Sequence, residues 1–159
     1  MEKEIFETLE KQIGSFFRKL SLGYVLKENE VVLDTAIKER NYKSHRQYWY
    51  NKRLKLEFYI IITIYLDSNS KSLIIPKVRK YEKTSNCKVE LVNFMNIEEY
   101  YRKQKNMPIQ RLEDYEGNSI EEKIQSFFNW FEENIDERLI NVLKGKDWID
   151  TPWDWGGYK

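Results

Sequence analysis

The chain holds one histidine, His45, and one cysteine, Cys87, in 159 residues. A zinc site draws on several His, Cys or acidic side chains, and a disulfide needs a second cysteine. Neither set is available from His and Cys. The glycines at 14, 23, 117, 145, 156 and 157 never form a Gly-rich loop beside a strand, so no phosphate cradle is written here. A metal-nuclease pattern, with Lys two residues after a strand carboxylate, is also missing: Tyr59 follows Glu57 and Val92 follows Glu90. A site built from carboxylates alone stays open, because clusters of Asp and Glu form in space. The expectation is a protein without cofactor, metal or catalytic set.

Two stretches carry residues suited to binding. Residues 42–53 interleave Tyr42, Tyr48, Trp49 and Tyr50 with Lys43, Arg46, Lys52 and Arg53. On a strand Arg46, Tyr48, Tyr50 and Lys52 share one face, where bases can stack while cations follow a phosphate backbone. The other reading is a hairpin strand whose aromatics pack across to a neighbour. A net charge of +1 weighs against a dedicated nucleic-acid binder.

The second stretch is residues 119–144. Ile120, Ile124, Phe127, Phe128, Phe131, Ile135, Leu139, Val142 and Leu143 recur at helical spacing. Ser119 and Glu122 have the spacing of a capping box, and Gly145 suits a helix stop. One helix of that length spans about 39 Å. Trp130 and Ile140 fall about 130° and 150° from the centre of its apolar stripe at 100° per residue. Glu133 and Glu137 lie beside them. Grease on the acidic back of a helix needs a cover. Either the Trp-rich tail at 146–159 folds over it, or a partner protein docks there. The candidate partner-binding residues are Trp130, Glu133, Glu137, Ile140, Trp148, Trp153 and Trp155. Trp148, Trp153 and Trp155 could also stack on a small ligand.

These stretches need a scaffold. Leu54, Leu56, Phe58, Ile60, Ile62, Ile64 and Leu66 alternate with Lys55, Glu57, Tyr59, Ile61, Thr63 and Tyr65, which is the two-residue period of an antiparallel strand. Tyr59, Ile61 and Tyr65 on its outward side point to a second cover, from the closing helix or another copy of the chain. Ile5, Phe6, Leu9, Ile13, Phe16, Phe17 and Leu20 predict an opening amphipathic helix ending at Gly23. Short strands are expected at 24–26 and 31–33 around a turn at 27–30, with others at 46–51, 72–78 and 88–94. Residues 67–70 read as a turn. Pro76 suits an edge or a bulge, and Asn96 caps a short helix. The fold expected is α+β: a single domain over 1–159, with an antiparallel sheet of five to six strands between an N-terminal helix and a long C-terminal one.

Hydrophobic residues make up 41% of the chain, enough for a core. No apolar run reaches the ~20 residues of a membrane span, and the charged N-terminus does not read as a signal peptide. A cytoplasmic protein is expected. Charge is uneven: seven Lys/Arg stand against Glu39 in residues 38–55, and twelve Asp/Glu against four Lys/Arg in residues 113–154.

The order of an amphipathic helix, residues 22–27 (Leu-Gly-Tyr-Val-Leu-Lys) entering an antiparallel sheet, and a closing helix resembles the layout of small bacterial immunity proteins of polymorphic toxin systems. That resemblance implies stoichiometric inhibition of a toxin and transfers no site residues; the acidic surface on the closing helix suits a basic toxin as partner. The reading is a non-enzymatic protein-interaction module with no membrane role. A ligand-binding domain with an apolar cavity between sheet and long helix, and a nucleic-acid module using residues 42–53, are the alternatives.

Overall fold

The computed structural model describes residues 2–34, 42–66, 72–83 and 90–150. Five antiparallel strands follow one another as a meander: β1 (Val25–Asp34), β2 (Tyr42–Asn51), β3 (Leu56–Tyr65), β4 (Leu73–Lys83) and β5 (Glu90–Asn96). Around them lie α1 (Glu2–Lys19), α2 (Ile97–Gln104), α3 (Ile120–Asn134) and α4 (Glu137–Leu143). The α+β class and the closing of the sheet by terminal helices follow the sequence pattern.

Alternation in β3 sets the two faces. Leu56, Phe58, Ile60 and Ile62 join Trp49 of β2, Ile74 and Val78 of β4 and Met95 of β5 in one core. Onto this face α1 and α3 bring Phe16, Phe17, Phe127, Phe128 and Phe131, all at most 2% exposed. Phe17 touches Phe58 edge-on at 5.5 Å, and Phe16 meets Phe131 at 5.3 Å. Each such ring contributes roughly 1.5–3 kcal/mol by leaving water. Aromatic side chains thus make up much of the layer between the sheet and these helices.

β1 differs from expectation. Residues 27–30 are not a turn; they lie in one ten-residue strand whose register to β2 shifts between Leu26 and Glu28. A polar run on an edge strand resembles a turn in sequence, because both stay wet. Pro76 pairs with Ile60 in register on the β3 side, while the β5 ladder reaches only Lys77. The missing amide thus falls where β4 has lost one neighbour. The expected turn at 67–70 lies outside the described residues.

The single long helix is also corrected: it is two. Ile135 adopts extended backbone (φ −69, ψ 128), and Asp136 starts α4 by accepting from the Leu139 amide at 2.8 Å. Asn134 donates its side-chain amide to the Trp130 carbonyl, closing α3. The apolar period runs through the break because Ile135 and Leu139 still face the core. Ser119 caps α3 through the Glu122 amide, and Asn96 caps α2 through the Glu98 and Glu99 amides. Gly145 (φ 75) ends α4 as expected. At the end of α1, however, Ser21 rather than Gly23 takes the left-handed position, with Leu22 donating back to Phe17 at 2.9 Å.

His45 is 1% exposed on the helix side, edge-on to Phe6. Burial first, and the Lys43 charge second, hold its pKa below the ordinary 6.5. The folded state thus excludes a proton that the unfolded chain accepts, so this contribution to stability is present above pH 6.5 and lost as pH falls below it. Urea unfolding at pH 7.5 and pH 5.5 should show the midpoint of the native protein dropping by more than that of His45→Leu. Removing the α4 cap with Asp136→Ala should cost about 1–2 kcal/mol in the same assay.

Candidate functional site

The face of the sheet away from the helices is built by the other half of each strand's alternation. Pairing places three rows across β2, β3 and β4: Tyr50–Glu57–Arg79, Tyr48–Tyr59–Lys77 and Arg46–Ile61–Ile75. Phe94 of β5 stands opposite Arg79 and is 50% exposed. Among the described residues no helix packs on this side, and Tyr48 and Tyr59, though buried, stand outside the helix-side core.

At its centre lies an acid with no exposure at all. Glu57 is 0% exposed and pairs with Arg79 through one oxygen and with Lys27 Nζ at 3.2 Å through the other. Desolvating a carboxylate costs several kcal/mol unless partners replace its water. Two cations do so, and the register shift in β1 falls where Lys27 reaches across. Arg79 then lies over both tyrosine rings, 5.2 Å from the Tyr48 centroid and 4.7 Å from Tyr59. The rings stack on each other at 5.5 Å. Cation–π contacts of this kind contribute about 1 kcal/mol each.

The titration shifts follow from these contacts. Burial pushes the Tyr59 hydroxyl up to about 12 and raises that of Tyr48. The hydrogen bond that Lys27 donates to Glu57 raises Lys27. Burial works against the charge of Arg79, but the bond to Glu57 and its field prevail and raise it. Lys77 goes the other way, lowered by burial first and by the neighbouring Arg46 second. Further along the face Tyr48 donates to Glu30 at 3.2 Å, Arg46 approaches Glu30 at 3.9 Å, and Tyr50 meets Tyr81 edge-on at 6.2 Å.

Of the nucleic-acid candidates, Arg46, Tyr48 and Tyr50 do share this face. Lys52 leaves it, in the turn between β2 and β3, beside an open depression of about 410 Å³ that Lys27, Tyr50 and Arg53 also line. Tyr48 offers no free ring face to a base, since Tyr59 and Arg79 occupy it.

The helix and tail candidates are not carried by the single straight helix expected. Trp130 is half-buried against Tyr101 of α2, at 5.1 Å, and Phe127, at 6.2 Å. Its cover is the chain's own second helix. Ile140 is half-buried on α4, and the break at Ile135 removes the straight-helix geometry that set it behind the apolar stripe. Glu133 and Glu137 are exposed. Glu137 borders a polar recess of about 540 Å³ with Tyr100, Lys105, Asp136 and Arg138. Trp148 lies under Lys80, 5.4 Å from its ring, with Ile149 buried beside it. Trp153 and Trp155 lie outside the described residues.

Sequence reading missed Arg79, Lys77 and Glu57 as members of a site. The available signal was Tyr59, Ile61 and Tyr65 on the outward side of β3, which marked a face too apolar to be plain solvent surface. The pairing that brings Arg79 beside Glu57 was not readable, because the turn expected at 67–70 does not by itself set the β3–β4 register.

Comparison with protein-family models, curated proteins and solved structures finds no match. Among the described residues no group of His, Cys, Asp and Glu is placed to hold a metal ion, and no helix is long and apolar enough to cross a membrane.

Removing one partner of the central ion pair leaves the other unpaired. Glu57→Gln should lower stability by roughly 3 kcal/mol, at the low end for buried pairs because Lys27 and Arg79 keep contact with water. Arg79→Gln in the same background should cost less than it does alone, measured as a double-mutant cycle in urea.

Proposed function

We propose that the protein is a non-catalytic interaction module that docks a protein partner on the uncovered face of its sheet. The observation that carries this reading is the Tyr48–Tyr59–Arg79 stack over sealed Glu57, on a face without a helix of its own. Tyr and Arg are the residues most enriched among interface hot spots, and here they are held rigid by an ion pair before any partner arrives. Half-exposed Phe94 and the partly exposed rings of Tyr50 and Tyr81 add apolar area around them. Single-stranded nucleic acid suits the face less well, because the two central rings are stacked on each other beneath a guanidinium and cannot accept a base. Toxin neutralisation is the use implied by the layout resemblance, and it requires nothing beyond tight stoichiometric docking.

The alternative surface, around Trp130, Glu133, Glu137 and Ile140, has weaker support now that Tyr101 packs on the indole. The two surfaces separate in one experiment. The full chain, immobilised, captures proteins from a lysate; the captured protein is identified, purified and titrated against variants. Phe94→Glu with Tyr81→Glu should weaken binding by at least about tenfold, which is ~1.4 kcal/mol. Glu133→Lys with Glu137→Lys should leave it unchanged. The reverse pattern would move the docking surface to the helices.

A further inference from the structure

Three cations at the centre of the uncovered face have donors to spare. Lys77 and Arg79 lie two residues apart on β4 and so point to the same side. Arg46 stands one row from Lys77, across β3. The Nε groups of Arg46 and Arg79 are buried and have no hydrogen-bond partner. Lys77 is half-buried, and its charged neighbours are Arg46 and, at the start of α2, Glu98. The carboxylates on this face are already engaged: Glu57 by Arg79 and Lys27, and Glu30 by Arg46 and the Tyr48 hydroxyl. Glu28, at the β1 edge, is exposed, and the charge of Glu98 on α2 reaches Lys77. Buried donors without acceptors carry a cost that a bound acceptor relieves.

Resting on the docking reading of this face, we infer that the partner presents a carboxylate, an Asp or Glu side chain seated on Lys77 with the Arg46 and Arg79 guanidiniums beside it. Charge and shape both favour this occupant. A guanidinium fork matches a planar carboxylate. The seat is bordered by Ile61, Ile75 and Phe94, so an acidic residue flanked by apolar ones fits the whole patch. A second copy of this chain, docked face to face about a two-fold axis, would bring Lys77, Arg46 and Arg79 against their own equivalents. Nucleic acid would meet the cations through phosphate alone, with no stacking at Tyr48 and Tyr59.

The test uses the full chain and a phage-displayed library of random twelve-residue peptides. Selected peptides should carry Asp or Glu at a recurring position beside apolar residues, and should protect Tyr50, Tyr81 and Phe94 from hydroxyl-radical labelling. Lys77→Met should weaken them at least about thirtyfold, the equivalent of ~2 kcal/mol for a truncated charge pair. Lys77→Arg should restore most of the binding, and both variants should match the native protein in thermal melting. Peptides that protect this face but lack an acid, or that ignore Lys77→Met, overturn the carboxylate seat and leave the docking face standing. Peptides that protect Trp130 and Glu137 instead, or recovery of no peptide that maps to the face, overturn the seat and count against the docking reading as well. Two further controls complete the test. A twelve-residue oligothymidylate that binds with Lys77 dependence where the peptides do not would assign the seat to nucleic acid. A Lys77-dependent dimer in light scattering would assign it to a second copy.

Discussion

Glu57 sits in the middle of the central strand with no exposure to water, and the outer face of the molecule is arranged around that fact. A carboxylate so placed has to be paired, and both of its oxygens are. Arg79 is drawn over the sheet from β4 and so comes to lie on Tyr48 and Tyr59. Lys27 is drawn in from β1, at the place where that strand's register slips. One buried charge thereby draws together two cations and two rings from four neighbouring strands. The face that results is rigid, aromatic and mildly basic before it meets anything.

The other side of the sheet obeys a simpler rule. Phenylalanines from α1 and α3 interlock over the aliphatic row of β3, and helix caps and Schellman-type ends set where each helix begins and stops. The break at Ile135 belongs to this layer. Asp136 starts a new helix because its side chain satisfies the Leu139 amide, while its other contacts, to Tyr100 and to Lys105 at 2.9 Å, tie α4 to α2. Leu139, Val142 and Leu143 of α4 are buried in the core beyond the break.

Legibility followed the range of the interaction. The strand at 56–65, the opening helix, the Asn96 and Ser119 caps and the Gly145 stop all depend on residues within a few positions of one another, and each was readable. The edge strand β1 was read as a turn because polarity alone does not separate a wet strand from a loop. The helix break was hidden by an apolar period that continues across it. Tyr59 and Ile61 signalled that the outward face mattered, yet Arg79 and Lys27 lie 22 and 30 residues from Glu57 in sequence.

By itself, the sequence determined the α+β class, the alternation that gives the central strand a dry side, and the absence of any His or Cys set for catalysis or metal binding. Those properties are carried by residue type and local period. Tertiary structure decided which tyrosines are sealed and under which guanidinium, that Trp130 is covered by Tyr101, and that the unpaired Nε groups of Arg46 and Arg79 lie on the same face as Lys77. Strand register sets all but the second of these. It emerges only when the aliphatic faces of several strands are buried together, because shifting one strand by a single residue would carry its cations to the core and its aliphatics to water.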